Sequence, residues 1–320
     1  MTTPAPTYRG RFAPSPSGPL HFGSLVAATG SFLEARARGG EWLLRMEDVD
    51  APRCSMAAAG EILRTLEVCG FAWDGEPVWQ SRRSAAYAAA LERLQRSGQV
   101  YPCACTRKEL ADSAIAPDGA AIYPGTCRHG LPPGRVARAW RLRVGDAQVS
   151  FDDAIQGPIA SELAPDAGDF ILLRADGLYA YQLAVVVDDA DAGITHVVRG
   201  ADLLASTARQ IFLQQCLGLP TPAYAHLPVA VNQAGEKLSK QTRAAPVDGA
   251  RPGPAVFAAL EFLGQRPPRE LSGAGPQELW TWAMANWQLA RVPRGPAPAA
   301  WRPGEWDNPG MTEGDAHHDR

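Results

Sequence analysis

The sequence predicts an α/β fold in which a parallel sheet is covered by helices. Two observations carry that expectation. Strand and helix signals alternate through the first hundred residues, and the same alternation returns after Ile171. The chain is also long enough, at 320 residues of which 46% are hydrophobic, for one large or two modest cores.

Residues 8–13 read as the first strand, closed by the turn-rich PSPSGP. Residues 24–38 repeat apolar side chains at Leu25, Ala28, Phe32 and Ala35, the period of a helix, and Gly39-Gly40 stops it. Residues 41–46 (EWLLRM) form the next strand and residues 57–69 the next helix. Regularity lapses between about 111 and 135, a stretch rich in Ala, Gly and Pro. A loop of that length in a compact domain calls for a function or a staple. Strand signals resume at 139–144 and 149–152, and LYAYQLAVVVDDADAGITHVVRG leads into a helix at 206–215. From Pro246 the chain turns helical, with VFAALEFLG and QELWTWAMANWQLARV as helices, and Trp280, Trp282 and Trp287 at core spacing. Residues 296–320 read as a disordered tail.

The formal charge of −3, with 20% charged residues, excludes global disorder and announces no nucleic-acid partner. Any RNA contact must come from a local patch, such as the acid-free run Arg128, Arg135, Arg138, Arg141 and Arg143, which a solvated face explains equally well. No stretch approaches the ~20 apolar residues that span a bilayer, and the N-terminus lacks a secretory apolar core. The expectation is a cytoplasmic protein without membrane contact. Its six cysteines then read as thiols or metal ligands rather than disulfides.

Two segments carry phosphate chemistry. RFAPSPSGPLHFGSL, residues 11–25, is a strand, a Pro/Gly turn and a helix start. A helix N-terminus offers unpaired N–H groups and partial positive charge to a polyphosphate. His21 adds a donor there, and Gly23 admits a base or ribose close to the backbone. Far downstream, NQAGEKLSKQ places Lys237 and Lys240 around Ser239, two ammonium groups suited to charge on a triphosphate. Taken singly, the first also reads as an ordinary βα connection and the second as a solvated basic loop.

Together they resemble the HIGH and KMSKS signatures of class I aminoacyl-tRNA synthetases, here HFGS and KLSKQ, with Ser24 for the second His and Gln241 for the last Ser. RFAPSPSGPLHFGSL, LLRMEDVD and VVRGADLL are similar to glutamyl-tRNA synthetases over residues 8–245. The resemblance implies a Rossmann-type parallel sheet in two halves, 1–100 and 171–245, an inserted zinc-containing subdomain at 101–170, and a short helical region at 246–295. It implies ATP binding by His21, Gly23, Ser24 and Lys240, with Mg²⁺, and catalysis by His21, Lys237 and Lys240.

Glutamate itself asks for two cationic forks and one anion. Arg11 and Arg199 are candidates for its carboxylates, Glu47 for its ammonium, and Tyr181 for a hydrogen bond that fixes side-chain length. The resemblance adds Ala13 and Ser15 to that site. Where glutamyl-tRNA synthetases commonly read YHLANVVDD, this chain reads YQLAVVVDD; Val185 removes an amide, and weaker glutamate affinity is expected.

Cys103, Cys105 and Cys127 cluster around the irregular stretch, with Tyr123 and His129 nearby. Three thiolates and one further group make a closed tetrahedral zinc site of structural role, and on ligand frequency the fourth would be His129. The short glutamyl-queuosine branch of the family carries Cys-x-Cys…Tyr-x-x-x-Cys, which implies Tyr123 instead. About 80 residues follow Lys240, too few for an anticodon-binding region. With the cysteine pattern, this resembles the glutamyl-queuosine tRNA(Asp) synthetases, whose acceptor is queuosine at the wobble position of tRNA(Asp). Two other readings stand beside it: a truncated glutamyl-tRNA synthetase charging a 3′ end, and a non-catalytic paralogue that binds RNA or amino acid.

Overall fold

The computed structural model describes residues 7–295 apart from 112, 117, 118, 120 and 232–245. In chain order its elements are β1 (Arg9–Phe12), α1 (Phe22–Ala37), β2 (Glu41–Met46), α2 (Met56–Val68), β3 (Val78–Trp79), α3 (Ser84–Arg96), β4 (Val100–Cys103), β5 (Ala139–Leu142), β6 (Gln148–Asp153), β7 (Gly157–Glu162), α4 (Leu163–Asp166), β8 (Phe170–Leu173), α5 (Tyr181–Asp191), β9 (His196–Gly200), α6 (Leu204–Leu217), β10 (Ala223–Leu227), α7 (Pro252–Phe262) and α8 (Pro276–Asn286).

β1, β2 and β3 pair in parallel, and so do β9, β10 and β6. β9 lies beside β1, where the Thr195 amide donates to the Arg9 carbonyl at 2.9 Å and the Arg9 amide donates to Thr195 Oγ1 at 2.8 Å. The parallel expectation therefore describes the centre of the molecule but not all of it. β7 folds back antiparallel on β6 through Gly157, whose φ of +86° suits glycine at the turn. β4, β5 and β8 form a separate antiparallel sheet, so the architecture is α/β with mixed sheets.

Helix α1 is apolar or small on nearly every side because it is covered on nearly every side. It packs on β1 and β9 and is overlaid by α7 and α8. Gly30 is what lets it sit so low: a Cβ there would stand 2.6 Å from Leu227 Cδ1 of β10. Phe32 meets Trp42, Phe71 and Trp280 edge-on at centroid distances of 5.1–5.4 Å. The tryptophans do serve the core. Trp280 is buried and donates its indole N–H to Cys69 O at 2.7 Å, and Trp282 and Trp287 pack against the same cluster. Helix α8 ends at Asn286, short of the sequence expectation, because Trp287 turns to extended backbone (ψ 129°) and its indole N–H donates to Glu34 Oε2 at 2.7 Å.

Candidate functional site

A cavity of about 640 Å³ opens where β1, β2, β9 and β10 end. The carboxyl ends of parallel strands are where α/β sheets bind ligands. Arg11 and Ala13 reach it from the end of β1, Glu47 from just beyond β2, Arg199 from β9, Tyr181 from the first turn of α5, and Ser15 from the turn before α1. His21, Gly23 and Ser24 enter from the N-terminus of α1. All nine described residues expected at the ATP and glutamate sites thus line one space. Lys237, Lys240 and the rest of KLSKQ lie outside the described residues. The chain on either side of them does come to the cavity: Ala230 lines it, and Pro246 bridges to His21 while the Val247 amide donates to Leu20 O.

His21 caps α1. Its backbone carbonyl accepts from the Ser24 and Leu25 amides, and its Nδ1 accepts from Ser24 N at 3.3 Å. The first turn of α1 carries no acidic residue, so nothing there offsets the partial positive charge of the helix end.

The floor is a buried ion network that the sequence reading did not anticipate. Arg11 offers Nε and Nη2 to the two oxygens of Asp189 at 3.2 Å each, so part of its fork is already engaged inside the protein. Arg45 donates Nη1 to Asp189 at 2.6 Å and Nη2 to Glu47 at 3.1 Å. Burial alone would weaken the Arg45 charge, but Asp189, Glu47 and Asp188 around it raise its pKa. Asp189 resists its own desolvation with the help of Arg11 and Arg45 and is held at about 2. Glu47 differs: desolvation raises it above the usual carboxylate range despite Arg45 and Arg11. A carboxyl in that condition gains strongly from an incoming cation. Desolvation, with Glu47 nearby, pushes the Tyr181 hydroxyl up to about 12, so it stays a donor at neutral pH. Two signals pointed to this network: an Arg inside the apolar strand EWLLRM, and a paired Asp closing the apolar run LAVVVDD. Buried charges need partners, and these were each other's. Val185 of that run is buried in α5 and is not part of the cavity lining.

Arg199 is held from behind. Its Nε donates to His226 Nε2 at 3.1 Å and its Nη2 to Thr207 Oγ1 at 2.8 Å, while Nη1 is buried without a hydrogen-bond partner.

The cysteines form a second centre beside the antiparallel sheet. Cys105 Sγ stands 3.7 Å from Cys127 Sγ, and Tyr123 Oη stands 3.5 Å from Cys103 Sγ and 3.4 Å from Cys105 Sγ. Around a tetrahedral zinc, sulfurs at ~2.3 Å lie about 3.8 Å apart, and a sulfur and an oxygen at ~2.0 Å about 3.5 Å apart. The donor set and its spacing fit that ion. His129 is exposed and does not join the cluster. Arg141 does: it is buried, donates Nε to Cys103 Sγ at 3.3 Å, and sits 3.8 Å over the Tyr123 ring. Other members of the basic run are built into the fold too. Arg128 pairs with Asp169, Arg143 lies over Tyr101, and Arg135 pairs with Glu109 at the surface; Arg135 and Arg138 are the exposed members.

A strand-end cavity under a helix N-terminus, lined by arginines and the carboxylates of Glu47 and Asp202, sits where α/β folds bind ligands, and comparison with known proteins gives the class. The family model for the catalytic domain of class I tRNA synthetases (E and Q) matches residues 7–251. A glutamyl-Q tRNA(Asp) synthetase of Aromatoleum aromaticum is 63% identical over 95% of this chain and 98% of its own length. One of Dechloromonas aromatica is 61% identical over 90% and 96%. Among solved structures, the glutamate-tRNA synthetase of Elizabethkingia anophelis superposes with a TM-score of 0.75 at 25% identity, over 90% of this chain and 67% of that one. A glutamate tRNA ligase of Elizabethkingia meningosepticum, in complex with its amino acid, gives the same score over 91% and 66%. The chain belongs to the glutamyl-Q tRNA(Asp) synthetases, a ligase family within the class I tRNA synthetases. No described helix is long and apolar enough to cross a membrane.

Proposed function

We propose that this enzyme activates glutamate with ATP and transfers the glutamyl group to the queuosine base at the wobble position of tRNA(Asp). The observation that carries the reading is the convergence in one cavity of Arg199, Glu47 and Tyr181 with the N-terminus of α1. Glutamate's charges have partners at one end and a polyphosphate has a helix terminus at the other. Arg199 brings a guanidinium with one unpaired nitrogen to a carboxylate, and Arg11 brings what Asp189 leaves of its fork. Glu47 takes the ammonium, and Tyr181 fixes the side chain by its hydroxyl.

The α-carboxylate oxygen attacks the α-phosphorus of ATP in line, the bond to the bridging β-phosphate oxygen breaks, and pyrophosphate leaves. His21 and the amides of α1 hold phosphate oxygens, joined by Lys237 and Lys240. Mg²⁺, bound with ATP, supplies charge neutralisation on those oxygens. A hydroxyl of the queuosine cyclopentenediol then attacks the mixed-anhydride carbonyl, and AMP leaves. Positioning suffices for both steps, so no residue is assigned as general base.

Cys103, Cys105, Cys127 and Tyr123 would hold a zinc ion, which supplies a structural cross-link to the irregular stretch at 111–135. Four protein ligands would leave no position open for water.

ATP–pyrophosphate exchange dependent on glutamate tests the first step, and radiolabelled glutamate transfer to tRNA(Asp) with and without queuosine tests the second. Label on RNA lacking queuosine would transfer the reading to a 3′-end synthetase. Absence of exchange in pure, zinc-loaded protein would leave only a binding role.

A further inference from the structure

Behind Arg199 lies a fully buried pair, Asp153 at the end of β6 and His226 in β10, that the reaction itself does not use. We propose that Asp153 and His226 form a positioning device for Arg199, presenting its guanidinium to the glutamate carboxylate with an orientation the side chain would not keep unaided. The proposal rests on the reading of Arg199 as a carboxylate binder.

The geometry fixes each proton. Asp153 Oδ1 accepts the amides of Ile155 at 3.0 Å, Gln156 at 2.8 Å and His226 at 3.1 Å, so the carboxylate cannot rotate without abandoning a turn and a strand end. Its Oδ2 lies 2.6 Å from His226 Nδ1. The carboxylate is an acceptor, so the imidazole carries its proton on Nδ1. Nε2 is then a lone pair, and facing it at 3.1 Å is Arg199 Nε, which can only donate. A doubly protonated ring would set its Nε2–H against the Arg199 N–H, beside a permanent cation, with only Thr207 Oγ1, already accepting from Arg199, to receive it. Burial and the neighbouring Arg199 both lower the His226 pKa, in agreement with a neutral ring.

Thr207 of α6 completes the clamp. Its Oγ1 accepts Arg199 Nη2 at 2.8 Å and lies 3.3 Å from Leu203 O and 3.1 Å from His226 Nε2, either of which can take its proton. Arg199 of β9 is thus met by β10 at Nε and by α6 at Nη2, with β6 acting through His226 and Nη1 left over. Rotation of the guanidinium would break both bonds in a place where water cannot replace them. An arginine needed only for its charge would require none of this; a bidentate grip on a carboxylate depends on orientation.

Substitutions at His226 separate the two halves of the device. In His226→Asn the amide nitrogen still reaches Asp153 but nothing accepts from Arg199 Nε, while the Thr207 bond to Nη2 remains. In His226→Gln the longer amide oxygen reaches the place of Nε2 and accepts from Arg199. In glutamate-dependent ATP–pyrophosphate exchange, His226→Asn is expected to raise the glutamate KM about tenfold at unchanged ATP KM. His226→Gln should restore it to within about threefold of the wild type. Asp153→Asn gives a second route: an amide N–H in place of Oδ2 moves the ring proton to Nε2, against Arg199. Nitrogen-15 spectra should show the Nδ1–H tautomer in the wild type and the Nε2–H tautomer in this variant, with a similar rise in glutamate KM.

A wild-type glutamate KM in His226→Asn or Asp153→Asn, while Arg199→Lys raises it, would overturn the positioning role alone. A wild-type KM in Arg199→Lys as well would bring down the underlying reading of Arg199. Equal rises in both KM values, with no rescue by Gln, would mark His226 as merely structural and also overturn the proposal.

Discussion

Among the buried arginines of this molecule, Arg141 and Arg199 are used in opposite ways. Arg141, beside the cysteines, is spent within the protein: Nε on Cys103 Sγ, Nη1 on Asp169 O, and its plane on Tyr123. Arg199, at the cavity, is anchored through Nε and Nη2 but keeps Nη1 unpaired. A closed set of contacts suits a staple whose task ends with folding. An unpaired donor in a dry setting costs stability and is kept where a ligand supplies the partner. The difference shows that burial alone does not separate a structural arginine from a functional one. Arg45 also carries an unmet Nε but lies off the cavity lining, so an unmet donor is informative only together with a place at the cavity, which Arg199 has.

The comparison breaks first at Arg199. Arg199→Ala is expected to lower kcat/KM for glutamate in pyrophosphate exchange by on the order of 10²-fold or more, since it removes a buried charged partner of a carboxylate. Zinc content per chain should not change. A loss below tenfold would place the carboxylate elsewhere. Next comes the fourth ligand: Tyr123→Phe should weaken zinc retention against a competing chelator by about 10–100-fold, whereas His129→Ala should leave it at the wild-type level. The reverse pattern would hand the position to histidine. Arg141→Leu should weaken zinc by about tenfold with little change in glutamate KM, because it strips positive charge from beside Cys103. If glutamate KM moved instead, the two centres would not be separate. The smallest effect is expected at Val185. Val185→Asn should lower glutamate KM by only about threefold, less than one ordinary hydrogen bond would give, and an unchanged or higher KM would count against that expectation. Because Val185 is buried and lies off the cavity lining, any such gain must travel through the packing of α5 rather than by contact.

Local patterns were readable where one element decides its own fate. Strand β2 runs over residues 41–46 as its apolar run implied, and α1 stops at the paired glycines after Ala37. The cavity lining was readable because its residues fall within short contiguous motifs. What escaped were pairings across long separations. Arg11 and Asp189 stand 178 positions apart, so a fork that looked free in sequence turns out to be half engaged. The arginine run at 128–143 looked like one surface, yet its members turn to Asp169, Glu109, Cys103 and Tyr101. Strand direction in the β4–β5–β8 sheet escaped for the same reason: apolar periodicity reports burial, not polarity of pairing. The end of α8 escaped because a helical pattern gave no sign that Trp287 would leave to meet Glu34, 253 residues earlier.

That last contact bears on how the enzyme is made. Helix α1, which carries His21, is roofed by α7 and α8, the last helices of the described chain. During synthesis β1 emerges early, β9 and β10 follow much later, and the cover of α1 emerges after them; contacts of such sequence separation form slowly. A nascent chain released before α8 would present the rings of Phe32 and Phe71 without Trp280, an adhesive surface for chaperones or for other unfinished chains. Helix α1 is therefore fully covered only once α8 has been made.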